Sequence, residues 1–582
     1  MNTPILQHLF EQAESLRREG KPAEAAQAYG KCLTLDPLCY AACRNLGHVL
    51  REMGRLPDAI RAYERGLSMQ PKDAAALRGL GDALRTLGQY DKAIVVYRRA
   101  LELWPHSAEF HQNLGLALCL SENTDQAVEA LERAVQLEPQ RYLAHNNLAY
   151  AYESLGDFER AIAHYDRALE IAPHQTSVAG NRLFALQCKP DLEPSILRAE
   201  LEAWDRRFAR PLRESIPPLA NDRSADRPLR IGYVSADFRR HVVGWNLLPI
   251  LTHHDRRRFN VFCYSNLPRP DDVTEQLAKQ TDGWRNIVSV SDDQAAQMIR
   301  ADKIDILVDL ALHSAGNRLL IFARKPAPVQ ITYLGYAGTT GLPTIDYRLS
   351  DPWLDPPDAD PACYTEKTLR LPHSYWCYQS SGPTPDVRPA PRIANGYVTF
   401  GCLTNFAKVS RAALQLWTGI LQRMPASHLL LYCPSLSRRQ TVSDLFAARG
   451  IPPERVEFVA WQPWDQYIQT YHRMDIALDP FPRGGGITSC DAIWMGVPVI
   501  TLMGKTAMGR GGCSVLGNVG LSELIAHTET EYVALAAQAE RWIELRPTLR
   551  ERMRASPLMD PAGFCRDLEG VYHQVWATWA AQ

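Results

Sequence analysis

The stretch DPFPRGGGITSCDAIWMGVPVITL, Asp479–Leu502, holds the residues best placed for chemistry on an anion. An apolar strand runs into Gly484, Gly485 and Gly486, then Thr488, Ser489 and Asp491, then helical text. Glycine at such a junction costs chain entropy, so it serves either a tight strand-to-helix turn or the close approach of a ligand to the backbone. The residues alone leave both readings open. A Gly-rich loop feeding a helix start presents free N–H groups and the positive end of the helix dipole, which suits a phosphate. Thr488 and Ser489 add hydroxyl donors, and Asp491 can accept from a ribose hydroxyl. The chemistry implied is binding of a nucleoside diphosphate. No GKS or GKT follows, so this is not a Walker loop, and GxGxxG belongs on a first strand.

These residues need a sheet to position them. From about residue 227 the sequence alternates apolar runs with helical text. LRIGYVSADF, FNVFCYSN, DILVDLALH and IDYRLSD read as strands, and a helix VVGWNLLPILTHH follows the first. The alternation restarts after a Pro-rich stretch, 372–395, with YVTFGC, HLLLYC, VEFVAW, DIALDPF and PVITL, and with helices at 411–424 and 438–449. Two such blocks predict two Rossmann-like lobes of parallel sheet, with ligands outside the carboxyl ends of the strands. The glycine stretch follows DIALDPF at that position.

The N-terminal third is periodic. Pro37, Pro71, Pro105, Pro139 and Pro173 stand 34 residues apart. In phase with them run Ala25, Ala59, Ala93, Ala127 and Ala161; Tyr29, Tyr63, Tyr97, Leu131 and Tyr165; and Gly20, Gly54, Gly88 and Gly156, with Glu122 as the exception. The pattern resembles the tetratricopeptide repeat, a helix–turn–helix unit that stacks into a superhelix with a concave groove. Small Ala lets helices approach, Gly ends the first helix and Pro stops the second. Five units and a degenerate sixth are expected up to about residue 188. Asn45, Asn113, Asn147 and Asn181 share one column, broken by Gly79. Such a ladder either grips an acceptor's extended backbone or bonds to the neighbouring repeat.

Bulk properties exclude other classes. Net charge is −1, which gives no global case for nucleic acid or an anionic membrane. The 13 cysteines form no CxxC pair, so neither a zinc site nor a disulfide framework is indicated. Asp358–Asp360, DAD, lies in a Pro-rich loop and reads as structural, so no metal is expected. The amphipathic, acid-bearing N-terminus is unlike a signal peptide, and no apolar run reaches the ~18 residues of a membrane span. A cytoplasmic protein is expected.

The segments RIGYVSADFRRH, GNRLLIFARKPAPVQITYLGYAGTTGLPTIDYRLSD, FGCLTNFAKVSRAALQLWTGIL and DIALDPFPRGGGITSCDAIWMGVPVITL resemble the O-GlcNAc transferase/SPINDLY glycosyltransferases, glycosyltransferase family 41. The resemblance runs from about residue 190 to the C-terminus, and the repeats match the family's architecture. It implies a GT-B enzyme, inverting and metal-independent, with no cofactor beyond its nucleotide-sugar donor. His241 and Lys408 take the catalytic positions, Lys408 against the donor's diphosphate. Asn405, Gln462, Tyr467, Arg483, Gly485, Gly486, Thr488, Ser489 and Asp491 take nucleotide-sugar positions, with Asp491 on the ribose and Tyr467 against the base. Asn45, Asn113, Asn147, Asn181 and His313 fall on the acceptor side. The partners implied are acceptor proteins held in the repeat groove. Whether the chain forms a homodimer is left open.

Several positions depart from the family. Ile487 replaces a phosphate-binding threonine, Arg483 an uncharged residue, Leu312 a glycine, and Trp464 and Thr470 base-contacting basic residues. The donor expected first is UDP-GlcNAc, with GDP-fucose or another UDP-hexose as alternatives, and a catalytically degenerate repeat scaffold as a third. The domains expected are repeats over 1–188, a linking helix and connector over 189–226, a first lobe over 227–390 and a nucleotide-sugar lobe over 391–582.

Overall fold

The computed structural model describes residues 4–582 except 191, 215, 225–226 and 360. The 34-residue period becomes antiparallel helix pairs: Pro4–Arg18 with Pro22–Leu35, Tyr40–Glu52 with Leu56–Met69, Ala74–Thr86 with Tyr90–Leu103, Ala108–Leu120 with Thr124–Leu137, and Tyr142–Ser154 with Phe158–Ile171. The alanine column and the Tyr29–Tyr63–Tyr97–Leu131–Tyr165 column are wholly buried. Gly20, Gly54, Gly88 and Gly156 end their helices with φ between +72° and +84°. Glu122, the exception in that column, adopts the same left-handed turn at φ +63°, a strain of about 1–2 kcal/mol for a side-chain-bearing residue. Gly79 interrupts the asparagines for a packing reason: a Cβ there would stand 2.4 Å from Cζ of the buried Tyr63 ring.

The chain divides into two compact units, Met1–Ser154 with Ala163–Pro173, and Leu155–Ile162 with His174–Gln582. Helix Thr176–Cys188, which the period assigns to the array, falls in the second unit. Helix Pro194–Trp204 follows, with proline in its first turn where no N–H is needed.

The second unit is built on two all-parallel sheets. The first has the order β3-β2-β1-β4-β5-β6-β7, with β1 Leu229–Ser235, β2 Phe259–Ser265, β3 Gly283–Asn286, β4 Ile306–Asp309, β5 Val329–Thr332, β6 Tyr347–Ser350 and β7 Lys367–Arg370. The second is β10-β9-β8-β11-β12-β13, with β8 Thr399–Cys402, β9 His428–Tyr432, β10 Val456–Val459, β11 Ile476–Leu478, β12 Val499–Leu502 and β13 Ile525–Ala526. The sequence reading lacks β3, β5, β7 and β13. Both β3 and β7 are only partly buried, β13 has two residues, and β5 is hidden in a loop-like apolar run.

Each sheet reverses its order once, between β1 and β4 and between β8 and β11. Crevices at such points are where open α/β sheets bind ligands. One expected boundary needs correction. The last helix, Pro561–Ala580, leaves the second sheet and inserts Phe564, Leu568, Tyr572 and Trp576 into the core of the first. Its Tyr572 hydroxyl lies 3.1 Å from that of Tyr233 on β1, and Glu569 meets His254 at 3.0 Å. Residues 391–582 therefore do not form a lobe by themselves. Among the described residues no helix is long and apolar enough to cross a membrane.

Candidate functional site

Lys408 and the glycine loop meet where the second sheet reverses. Lys408 sits on a short turn, Phe406–Lys408, just after β8, and the loop follows β11, the neighbouring strand. Asn405 shapes that turn, its Oδ1 accepting from the Ala407 N–H at 3.0 Å. The Lys408 ammonium donates to the Gly484 carbonyl at 3.4 Å. Burial, and then the Arg483 guanidinium, push its pKa down to about 8. A cation in that condition is under-compensated and gains most from an arriving anion.

The glycine question now has a physical answer. None of the three has a left-handed φ. A Cβ on Gly485 would stand 2.1 Å from Ser489 Oγ and 2.5 Å from Asp479 Oδ1, and one on Gly486 would press on Trp376 at 3.0 Å. Gly484 has ordinary room. The close approach is thus to the chain's own groups. Ser489 Oγ donates to buried Asp479 at 2.8 Å, so the expectation that this hydroxyl faces a phosphate is corrected: it pins the loop. Thr488 Oγ1 lies 3.0 Å from Thr404 Oγ1. Helix Ile487–Trp494 starts at Gly486 without a side-chain cap. The first-turn amides of Ile487 and Thr488 have no acceptor among the described residues.

Arg483 stacks its guanidinium on Phe184 at 5.8 Å. It lines a cavity of about 340 Å³ with Lys189, Thr339, Tyr364 and Lys505. It makes no ion pair among the described residues.

Asp491 is less open than its sequence position suggests. Tyr378 donates to Oδ1 at 2.7 Å and Tyr467 to Oδ2 at 2.9 Å. Tyr471 stands 2.8 Å from the Tyr467 hydroxyl and donates to the Thr488 carbonyl at 3.1 Å. Burial raises the Asp491 pKa to about 6, against the opposing pull of the two tyrosine hydrogen bonds. A ribose hydroxyl would have to share this carboxylate with Tyr467. Gln462 accepts from Thr470 Oγ1 at 2.7 Å and faces a separate cavity that contains Arg388 and Arg473.

The remaining expected residues are not drawn into this cluster. His241 follows β1 and caps helix Val242–His253, its Nδ1 accepting from the Val243 N–H at 3.3 Å. Burial lowers its pKa, with Asp237 at 3.8 Å opposing that effect. His313 is fully buried under Trp204, and its Nε2 bonds the Thr340 carbonyl at 2.8 Å. Burial drives its pKa to about 4, so the ring is neutral and sealed from any acceptor, which corrects that expectation. Leu312 before it has φ +50°, a left-handed backbone that glycine adopts more readily than leucine. Asn45 is also corrected: its amide is spent on Glu14 at 2.6 Å and on Arg44 at 3.1 Å. Asn113 and Asn147 line one groove of the first unit, whereas Asn181 belongs to the second. Asp360 lies outside the described residues.

The sequence reading missed Asp479, Tyr378, Tyr471 and Thr404. Asp479 carried a signal, as a charged residue ending an apolar strand before the glycines. Tyr378 carried none, because its role depends on a contact 113 residues away.

Comparison with known proteins fits this geometry. Residues 217–381 and 387–568 match Glycosyl transferase family 41, and 44–108 and 113–176 match the tetratricopeptide repeat. A probable UDP-N-acetylglucosamine--peptide N-acetylglucosaminyltransferase SPINDLY of Solanum lycopersicum is 39% identical over 385 residues, 64% of this chain and 41% of that protein. The corresponding SEC protein of Arabidopsis thaliana is 30% identical over 363 residues, 60% of this chain and 37% of that one. The chain thus spans about two fifths of the length of these curated relatives. A solved mutant O-GlcNAc transferase of Thermobaculum terrenum superposes with a TM-score of 0.81 at 34% identity, covering 87% of this chain and 98% of that one. Two parallel sheets with Lys408 and the glycine loop at one reversal, and a family match over more than half its length, lead to one conclusion: this chain belongs to glycosyltransferase family 41.

Proposed function

We propose that this chain is a protein O-glycosyltransferase that moves GlcNAc from UDP-GlcNAc to Ser or Thr hydroxyls of acceptor proteins, with inversion and without a metal. In the transfer, the acceptor oxygen bonds the anomeric carbon as the bond to the diphosphate breaks. Charge then accumulates on the leaving phosphates. Under-compensated Lys408 beside the free amides of Ile487 and Thr488 is the observation that supports this reading. A cation and a helix N-terminus fixed in advance stabilise such charge without reorganising.

Ile487 favours a second reading. It places an alkyl group in the first helical turn, where a hydroxyl would bind phosphate, and this fits a binding-only lobe. Thermal melting with UDP-GlcNAc, GDP-fucose and UDP-glucose separates these readings. A ligand at 100 times its Kd stabilises by about 2.7 kcal/mol. Stabilisation by UDP-GlcNAc with transfer to protein supports the proposal. Stabilisation by GDP-fucose alone changes the donor, and no shift with any of them favours the scaffold.

A further inference from the structure

The first unit carries a groove of about 410 Å³ whose lining sets four arginines, Arg51, Arg78, Arg85 and Arg141, against two carboxylates, Asp82 and Glu109. The arrangement is periodic. Arg44 and Arg78 share one repeat column and Arg51 and Arg85 another, on helices Tyr40–Glu52 and Ala74–Thr86. In the next two repeats those columns hold Gln112 and Asn146, and Cys119 and Glu153, so the basic track is confined to one end.

The carboxylates neutralise part of this charge. Glu109 meets Arg78 at 2.9 Å and Arg141 at 3.9 Å, and Asp82 lies 3.6 Å from Arg85. Among the described residues Arg51 has no carboxylate partner, and the buried Nε atoms of Arg51 and Arg85 have no hydrogen-bond acceptor. His48, on the same wall, registers the surplus. Burial first, then Arg51, Arg44 and Arg78, hold it neutral with a pKa near 4. Asn113 and Asn147 lie in the same groove; each Oδ1 accepts from its neighbour, Gln112 or Asn146, at 3.2 Å, and the Nδ2 groups suit the carbonyls of an extended backbone. The lining has no Phe, Tyr or Trp on which bases could stack, as single-stranded nucleic-acid sites usually have.

We propose that this groove binds an acidic stretch of polypeptide, with its Asp and Glu carboxylates on Arg51 and Arg85 and its backbone on Asn113 and Asn147. The site thereby selects partners by charge at one end and by extended backbone at the other. That such a partner is also a substrate rests on the proposed glycosyl transfer; the binding itself does not. Guanidinium–carboxylate pairs are the strong, geometrically specific kind, and the interaction weakens with salt.

The test uses the full chain and fluorescence anisotropy. The probes are an Asp/Glu-rich peptide, its Asn/Gln counterpart and a single-stranded oligonucleotide, each at low and high salt. The acidic peptide is expected to bind at least tenfold tighter than its neutral counterpart and to lose that margin in high salt. The double variant Arg51→Gln, Arg85→Gln is expected to lose the margin while keeping its nucleotide-induced thermal shift. Equal binding of the two peptides by the parent overturns the proposal even if the variant does not fold. So does tighter binding of the oligonucleotide, or a folded variant that keeps the selectivity. Failure of donor binding in the parent would count only against the proposed transferase activity.

Discussion

The two sheets of the second unit share parallel topology and a single reversal of strand order, yet they spend their polar groups differently at that point. Where β8 meets β11, the Lys408 ammonium has one long bond to a carbonyl and the helix amides of Ile487 and Thr488 are free. Where β1 meets β4, His241 caps its own helix and His313 is sealed against Trp204, its Nε2 bonded to a carbonyl and its buried Nδ1 without a partner among the described residues. The difference is one of charge: the second sheet holds an under-compensated cation beside open helix amides, which suits the proposed anion chemistry, whereas His313 is neutral, walled in and reached by no solvent.

Removing Lys408 strikes this contrast hardest. Lys408→Ala is expected to lower turnover by about 10²–10³-fold, as loss of one fixed charge-stabilising group does, with the melting temperature held or raised because a buried cation is gone. Turnover within a few-fold of the parent would remove the lysine from the mechanism. The same group sets a pH limit. Its pKa near 8 means the charge is present at neutral pH and lost above that value. UDP affinity measured by calorimetry is therefore expected to fall as pH climbs from 7 to 9, and a flat profile would contradict it.

The Asp491 network predicts a second, smaller effect. Tyr378→Phe removes a hydrogen bond that favours the charged carboxylate, so the Asp491 pKa should rise above about 6 and nucleotide affinity fall about tenfold, or ~1.4 kcal/mol. A carboxylate whose folded pKa is raised costs stability as pH rises from its unfolded value through its folded one. The variant's melting temperature should accordingly keep falling to a higher pH than the parent's. A melting profile that overlays the parent's would argue that Tyr378 is idle.

His313→Leu tests the other sheet. It should cost about 1–2 kcal/mol of stability through the orphaned Thr340 carbonyl and leave the KM for acceptor unchanged. A raised KM with unchanged stability would return His313 to the acceptor site. The smallest change is expected from Ile487→Thr, which adds a hydroxyl to the first helical turn and should tighten UDP binding by about 0.5–1.5 kcal/mol by calorimetry. No gain would mean the phosphates sit elsewhere on the loop.

The sequence made the architecture legible because period and alternation are local. The Pro, Ala and Gly columns fix the helix pairs, and Glu122 could be read as an exception before its left-handed turn was seen. Gly485 stood out because the glycine run comes soon after an apolar strand, and Lys408 only through the family resemblance of LTNFAKVS. What stayed hidden is how polar groups are consumed. Ser489 reads as a phosphate donor until Asp479 is found beneath it, and Asp491 as an open acceptor until Tyr378 and Tyr467 arrive on it. Asn45 reads like Asn113, and both accept from the residue before them, but Glu14 also takes the Asn45 Nδ2. Each depends on a neighbour whose distance along the chain no spacing rule encodes.

The last helix has a consequence for how the molecule is made. Phe564, Tyr572 and Trp576 complete the core around β1, although β1 leaves the ribosome more than 300 residues earlier. At roughly 5–20 residues per second, the first sheet waits tens of seconds with an apolar face uncovered. The second sheet, encoded between them, can close meanwhile. The lobe that begins first is finished last, and translation itself becomes the interval in which that face needs protection.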